Sequence, residues 1–433
     1  MRQVGRCILA LAALATGASF AESVSHADVG VVLKTITVGA GADAIVVAVR
    51  SGHVFVAEQY SNDSRMLDAA TGRVLRTTAA GDYHHSGFAG VVRPLPFGPM
   101  MLAVDAGQER VYVGTQVDAA LILDARSGRV LGTPRTPGLA PATALAADHG
   151  RLFVVGISPR SAELQLDVLD RHGRLLRVTG LGGHPPAING GAGYHGGGIA
   201  IDARTGRIFI GSMTRNVVYS VRLSDGASLG ATRVGAFPAP PVAEAVDEQA
   251  GHVFVVSEAG ASVYMCDART GVVLRRARVA HDPVALAVDA QTHRAFILSR
   301  GPLALSGAHS GAGHGSVGVI DTRTGALLST VGVGVGPRAV AIDEPRGRVF
   351  VVNTGALNDR GAVLDRGSVS VLDARSGVVR VTFRVGLMPT AVAVDDRTAR
   401  AFVISSRGRL AQPHAKLAAS SASIISVIDT SST

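Results

Sequence analysis

The sequence is poor in several residue types that often reveal how a protein is stabilised. It contains no tryptophan, two cysteines and two lysines among 433 residues, and only 17% of its residues are charged. Hydrophobic residues make up 47% of the chain, and 53 glycines supply material for many tight turns. This composition argues against a disordered chain and is typical of a β-rich globular protein.

Residues 1–21 have the pattern of a cleaved export signal. Arg2 and Arg6 precede an apolar run over residues 7–15, and small residues stand at −3 and −1 of the predicted cleavage site after Ala21. The run is shorter than the roughly 20 residues that span a bilayer, and no later segment is apolar enough to span one. We therefore expect a periplasmic or secreted protein in which residues 22–30 form a short lead and residues 31–433 form one domain.

The predicted mature chain has few features that point to a partner. Cys266 becomes its only cysteine, so no intramolecular disulfide can form, and we interpret this residue as a small buried hydrophobe on a strand. Removal of the signal lowers the formal net charge from +9 to +7. Lys34 and Lys416 are the only lysines, so an arginine-rich composition accounts for the charge and no basic stripe interleaved with aromatics is present. We expect a monomer without a nucleic-acid partner.

A short apolar strand with an aromatic residue at its second position recurs eight times. The aromatic residues are Phe55, Tyr112, Phe153, Phe209, Phe254, Phe296, Phe350 and Phe402. An apolar run that ends near Asp precedes each strand, as in A-L-A-V-D at 285–289, and most copies continue with a strand that ends in Asp and then Gly. Four antiparallel strands per unit, repeated at roughly 40 to 57 residues, are typical of propeller blades, and the aromatics would fill the gaps between blades.

The aspartates that close the third strands predict turns. Examples are D-A-R-S-G at 124–128, D-A-R-T-G at 267–271 and D-T-R-T-G at 321–325. Aspartate can accept hydrogen bonds from the backbone amides of such a turn, and glycine tolerates the positive φ that the turn requires. We therefore expect these carboxylates to form turns and to have no catalytic role.

The two ends of the repeat predict how the ring closes. The last unit ends at Ile428-Asp429-Thr430 without an outer strand, whereas residues 31–39 form an isolated strand that matches the outer strands of the other units. Pairing of these two segments would leave no unpaired central edge. The sequence therefore predicts an all-β propeller of eight four-stranded blades, with seven as the alternative, closed by its N-terminal strand.

The repeat resembles that of the YVTN-repeat β-propellers, a bacterial periplasmic group. The resemblance covers about residues 31–430, and its best copies are G-P-R-A-V-A-I-D at 336–343 and M-P-T-A-V-A-V-D at 388–395. Phe replaces the signature Tyr in every unit except at Tyr112, and eight repeats exceed the seven typical of that family. The family has no common catalytic residues, so the resemblance implies a fold and no reaction.

Strand order assigns the loops to two faces. We call the face on which the innermost strands begin the top face, and the opposite one the bottom face. Turns on the bottom face are short, whereas the long insertions are all on the top face. These insertions are residues 80–100, 181–197, 301–316, 354–368 and 405–423. Loops of this length inside a compact domain are usually functional or disordered, so we expect the top face to be the working face.

Histidines in Gly-rich top insertions predict a candidate site. Asp82, Tyr83, His84, His85, Tyr194 and His195 are the candidate ligand-binding residues, and His84, His85, His195, His309, His314 and His414 are the candidate metal ligands. Neutral imidazole is the commonest protein ligand for zinc and copper, which are the metals to consider. The alternative is that these residues are solvated side chains of flexible loops. Propeller sites assemble across blades, so spacing along the chain does not decide between the two.

Two functions are consistent with these features. The first is a non-catalytic exported propeller that recognises a protein or small ligand on its top face. The second is a metal-dependent hydrolase, lactonase or redox enzyme that uses the top histidines, with Asp82, Glu58 or Glu258 as a base. The sequence has no H-E-x-x-H zinc motif, C-x-x-C-H haem site, nucleophile elbow or P-loop, and this favours the first function.

Overall fold

The computed structural model of the chain describes residues 32–80, 98–115, 120–134, 139, 142–158, 160–161, 163–182, 198–212, 215–235, 241–258, 260–301, 314–356, 365–406 and 422–431. These residues form 32 strands and no helix, so the described part of the chain has no helix that could cross a membrane. The strands make eight four-stranded antiparallel sheets, and the first strands of successive sheets contact one another in a closed ring. The prediction of an eight-bladed β-propeller is confirmed.

Each blade uses its strands in chain order from the centre of the ring outwards. The innermost strands are β2 Ala42–Ala48, β6 Pro99–Asp105, β10 Ala142–Asp148, β14 Ile199–Asp202, β18 Pro241–Asp247, β22 Pro283–Asp289, β26 Pro337–Asp343 and β30 Pro389–Asp395. The second strands are β3 His53–Glu58, β7 Arg110–Thr115, β11 Arg151–Ile157, β15 Arg207–Ser212, β19 His252–Ser257, β23 Arg294–Ser299, β27 Arg348–Asn353 and β31 Arg400–Ser406.

The two outer layers complete the blades. The third strands are β4 Asp63–Asp68, β8 Ala120–Asp124, β12 Leu164–Asp170, β16 Val217–Arg222, β20 Ser262–Asp267, β24 His314–Asp321, β28 Ser368–Asp373 and β32 Ala422–Asp429. The outermost strands are β5 Val74–Ala79, β9 Val130–Gly132, β13 Leu175–Gly182, β17 Ser228–Arg233, β21 Val273–Arg278, β25 Leu327–Val335, β29 Val379–Arg384 and, in blade 8, β1 Val32–Ala40.

The repeated aromatic residues form the core between blades. All eight are at most 2% exposed. Phe55 of blade 1 packs with Val111 and Leu123 of blade 2, and Phe402 of blade 8 packs with Val54 of blade 1. Each seam thus buries one large aromatic against the aliphatic face of the next blade, and this burial is the main stabilising contribution of the repeat.

The predicted turns are present. Oδ1 of Asp124 accepts hydrogen bonds from the amides of Arg126 at 3.1 Å and Ser127 at 2.7 Å, and Gly128 follows at φ 66°. Asp267, Asp321 and Asp373 make the same contacts in their blades. These carboxylates are engaged in turns, as the sequence predicts.

The closing strand lies in blade 8. Strand β1 pairs antiparallel with β32 from Val32 opposite Ile428 to Ala40 opposite Ala422, one residue from the predicted range of 31–39. Val38 of this strand is 2% exposed and packs in the cluster that contains Phe402. Ring closure therefore joins the two ends of the chain through a β ladder and through the core.

Two further expectations concern Cys266 and the long top insertions, and the structure tests only the first. Cys266 is buried on β20, and this burial raises the pKa of its thiol to about 12, so the interpretation as a small buried hydrophobe is confirmed. The long top insertions fall mostly on residues 81–97, 183–197, 302–313, 357–364 and 407–421, which lie outside the described residues.

Candidate functional site

One member of the predicted histidine site is within the described residues. His314 is exposed at the start of β24, opposite Val335. The other predicted site residues lie outside the described part: Asp82, Tyr83, His84, His85, Tyr194, His195, His309 and His414. Among the residues that the structure does describe, no three His, Cys, Asp or Glu side chains lie close enough to hold a metal ion. The copper or zinc site therefore stays a prediction.

Glu58, one of the candidate bases, connects blade 1 to the closing strand. It is fully buried opposite Asp63, and its Oε1 accepts a 2.9 Å hydrogen bond from the amide of Gly39. Its Oε2 lies 3.1 Å from Nε of Arg65. Burial, reinforced by a hydrogen bond to Asp63, raises the pKa of Glu58 to about 8. These contacts give Glu58 a structural role in ring closure.

Glu258, the other described candidate base, belongs to an ion network on the top face. Arg300 lies 3.3 Å from Glu258, and it also donates to both oxygens of Asp282, at 2.8 and 3.1 Å. Burial and a hydrogen bond to Asp282 raise the pKa of Glu258. The network joins the top connections of blades 5 and 6, and its charges are paired with one another.

Side chains on the bottom face are used to connect blades. Nδ1 of His53 lies 2.9 Å from the carbonyl oxygen of Ala125, and Nδ1 of His252 lies 2.7 Å from that of Thr322. Open clefts of 390 to 700 Å³ occur on this face. Residues that line them include Arg126, whose Nε lies 2.6 Å from Glu109, and His149, whose Nδ1 lies 2.7 Å from Asp148. We therefore do not place the functional site on the bottom face.

A β-bulge recurs at the top end of the innermost strands. In seven blades the register with the second strand skips the second residue of the innermost strand. Bulges of this kind redirect a side chain and are common beside functional sites. Because the innermost strands surround the central channel, these residues ring its top opening, which we call the channel mouth. They are Asp43, Met100, Thr143, Val242, Val284, Arg338 and Thr390.

The charged residues of the channel mouth lie on blades 7 and 1, on either side of blade 8. Burial raises the pKa of Asp43 in blade 1, and the positive charge of Arg338 in blade 7 opposes this rise. The bulge residue of blade 8, between them, is Thr390, whose buried hydroxyl oxygen has no hydrogen-bond partner among the described residues. This part of the mouth therefore combines a carboxyl group, a guanidinium group and a hydroxyl group.

Tyr60 adds an aromatic surface to this part of the mouth. The side chain is 50% exposed, and burial of its remainder together with the charge of Asp43 raises its pKa. Its ring lies on Gly41, where an added Cβ would come within 2.4 Å of Cδ2. Gly41 also has φ 68°, so both the ring and the backbone conformation require glycine here.

Sequence reasoning missed these mouth residues although the repeat contains a signal for them. The innermost strand reads P-R-A-V-A-I-D in blade 7 and P-T-A-V-A-V-D in blade 8, and its second position changes chemistry from blade to blade while its neighbours stay apolar. Simple alternation of buried and exposed residues does not reveal a bulge. An alignment of the eight repeats would have singled out this position.

Comparisons with known proteins support the fold. No protein-family model and no curated protein matches the sequence. The chain is similar to the crystal structure of BamB from Moraxella catarrhalis, at 14% identity and a TM-score of 0.60, covering 93% of this chain and 100% of that one. It is also similar to the C-terminal WD40 domain of Sif2, at 10% identity, a TM-score of 0.63 and coverage of 90% and 97%.

A third similar structure is a europium-containing methanol dehydrogenase, at 12% identity, a TM-score of 0.60 and coverage of 91% of each chain. These identities are low enough that the likeness shows the propeller fold and nothing about activity. A function for this chain therefore has to be argued from its own residues.

Proposed function

We propose that this protein is an exported, non-catalytic β-propeller that binds a small polar ligand at the channel mouth on its top face. The observation that carries the proposal is the grouping of Asp43, Arg338, Thr390 and Tyr60 at one side of the mouth. Ligand sites in proteins typically combine a concave surface with a few convergent polar groups. Export is supported by the signal pattern of residues 1–21.

The chemistry of these residues indicates the class of ligand. Asp43 can accept hydrogen bonds from an ammonium or hydroxyl group, and Arg338 can donate two parallel hydrogen bonds to a carboxylate. The exposed face of Tyr60 can pack against an apolar or sugar ring. Amino acids and sugar acids carry both kinds of group. A kinship with the YVTN-repeat propellers is supported by the repeat motifs at 336–343 and 388–395.

Thermal unfolding of the mature protein, followed by circular dichroism, tests the proposal. Panels of amino acids, sugar acids and neutral sugars are added to the wild type, to Asp43→Asn and to Arg338→Gln, with Arg269→Gln on an exposed bottom turn as the matched control. We expect one panel to raise the melting temperature of the wild type and of the control, because a ligand that binds only the folded state stabilises it. The rise should be lost in both mouth variants.

Two outcomes contradict the proposal. One is a melting temperature that no panel raises at millimolar concentration. The other is a rise that persists undiminished in both Asp43→Asn and Arg338→Gln.

A further inference from the structure

Glu244 occupies a position that is apolar in every other blade. It lies on β18 and pairs with Val255, the residue that follows the buried Phe254. The residues in the same register of the other blades are Ile45, Leu102, Leu145, Ile199, Leu286, Val340 and Val392. One blade of eight therefore replaces an aliphatic side chain of the seam with a carboxyl group.

Two glycines of blade 4 make room for this carboxyl group. An added Cβ would lie 2.2 Å from Oε2 of Glu244 at Gly198 and 2.1 Å from Oε1 at Gly211. The position of Gly198 is alanine in six blades and methionine in the other: Ala44, Met101, Ala144, Ala243, Ala285, Ala339 and Ala391. The position of Gly211 is mostly aliphatic: Ala57, Gly114, Val155, Val256, Leu298, Val352 and Ile404. We call Glu244, Gly198 and Gly211 together the Glu244 seam.

The carboxyl group has no partner within the described part of the chain. Both oxygens are buried and neither receives a hydrogen bond there. Burial raises the pKa of Glu244 to about 8, and no charged side chain contributes to the shift. A buried carboxyl group without donors is costly, because water has been removed and nothing replaces it. A buried carboxyl group in a seam that is otherwise apolar is therefore a candidate for binding a group that donates hydrogen bonds.

We propose that the Glu244 seam is a binding site for a primary ammonium group that enters from the central channel. The group is a compact cation with three donors, which suits two carboxylate oxygens that receive no hydrogen bond from the described residues. A calcium ion would need six to eight oxygen ligands, and among the described residues no two further His, Cys, Asp or Glu side chains join Glu244 in a metal-binding group. The guanidinium group is planar and larger than an ammonium group, so it serves as the comparison cation in the test.

Entry from the channel follows from the place of Glu244 in the ring. Its strand is innermost, and the residue as a whole keeps partial exposure although its two oxygens are buried. The seam lies between blades 4 and 5, across the ring from the mouth residues of blades 7, 8 and 1. The site is therefore separate from the channel-mouth site, and the two proposals do not depend on each other.

Calorimetric titration of the mature protein with n-propylammonium chloride tests the site. At pH 9 an alkylammonium ion is charged and Glu244 is ionised, so we expect saturable binding, with at least tenfold weaker binding at pH 6. At pH 7.5 binding should release a proton, seen as a dependence of the heat on the ionisation enthalpy of the buffer. Glu244→Gln should lose at least tenfold in affinity, whereas Arg269→Gln on an exposed bottom turn should bind like the wild type.

A measurement on the wild type keeps the test independent of how the variants fold. The ¹³C shift of the Glu244 carboxyl carbon should titrate with a midpoint that n-propylammonium lowers. The proposal is overturned by an unchanged midpoint, by equal binding to wild type and Glu244→Gln, or by guanidinium chloride that competes as well as n-propylammonium at the same ionic strength.

Discussion

The amide of Gly39 donates a 2.9 Å hydrogen bond to Oε1 of Glu58, and this contact ties the closing strand to the first blade. An added Cβ at Gly39 would lie 2.1 Å from the other oxygen of the same carboxyl group. Next to it, the amide of Ala40 donates to Oγ of Ser61 at 2.6 Å. The closing strand is therefore attached on both sides, to blade 8 by the β1–β32 ladder and to blade 1 by Glu58 and Ser61.

Replacement of Glu58 tests this attachment. Glu58→Ala should lower the free energy of unfolding by about 1 to 3 kcal/mol, because it leaves the partly buried amide of Gly39 without this acceptor. Glu58→Gln keeps an acceptor oxygen in the same place, so its free energy of unfolding should fall by less. Urea unfolding of the two variants checks the order, and an alanine variant as stable as the glutamine variant contradicts it.

Deletion of residues 32–40 tests closure as a whole. The deletion exposes the edge of β32 and uncovers the cluster around Phe402, to which Val38 contributes, so we expect a loss of several kcal/mol in the free energy of unfolding. Addition of a synthetic peptide of residues 32–40 should restore part of the loss. Deletion of residues 22–30 is the matched control, and equal melting temperatures for the two deletions would refute the assigned role.

The fold could be predicted from the sequence because the same pattern of buried residues recurs in all eight repeats. Phe55 and its seven equivalents occupy one register, and each Asp–Gly pair specifies a turn. A strand or turn that is ambiguous in one repeat can therefore be assigned from the other repeats. The closing strand was predicted within one residue for the same reason. The strand pairing, the length of the repeat and the turn-forming residues all predict the same architecture.

The candidate sites were harder to predict for a physical reason. Glu244 and Arg338 stand out only when the repeats are compared position by position, and the partners that define them come from other blades. Glu244, for example, meets Gly198 and Gly211, which precede it by more than thirty residues. The spacing of motifs along the chain does not reveal contacts between side chains of different blades. The histidine site depends on insertions, whose placement no repeat specifies.

Arg338→Gln tests the electrostatic coupling at the channel mouth. Burial raises the pKa of Asp43 and Arg338 lowers it, so loss of the guanidinium charge should move the titration midpoint of Asp43 upwards. The ¹³C shift of the Asp43 carboxyl carbon measures the midpoint. Arg269→Gln, on a bottom turn, should leave it unchanged. A midpoint that does not move in Arg338→Gln would show that the two charges do not interact.

Glu244→Leu tests the cost of the carboxyl group in the seam. The variant restores the residue type of the other blades, and Leu145 already packs against the glycine at the equivalent place, with its Cδ2 3.4 Å from an added Cβ at Gly114. We expect the free energy of unfolding at pH 7 to rise by about 1 to 3 kcal/mol, since an unpartnered polar group is removed. Gly211→Ala in the otherwise wild-type protein should lower the free energy of unfolding, because the added methyl group would lie too close to Oε1 of Glu244. A destabilised leucine variant in urea unfolding would contradict the seam geometry.

The pH dependence of stability follows from the same carboxyl group. Its pKa is about 8 in the folded protein, against an ordinary value of 4.5, so between these values the folded state binds more protons than the unfolded state. The free energy of unfolding should therefore fall as the pH rises from 4.5 to 8 and level off above that range. Glu58, whose pKa is also about 8, contributes in the same direction. Urea unfolding at pH 5, 7 and 9 should show a smaller fall in the free energy of unfolding for Glu244→Leu than for the wild type. The stability difference between the two proteins should therefore grow with pH. Parallel curves would show that Glu244 is not protonated in the folded protein at neutral pH.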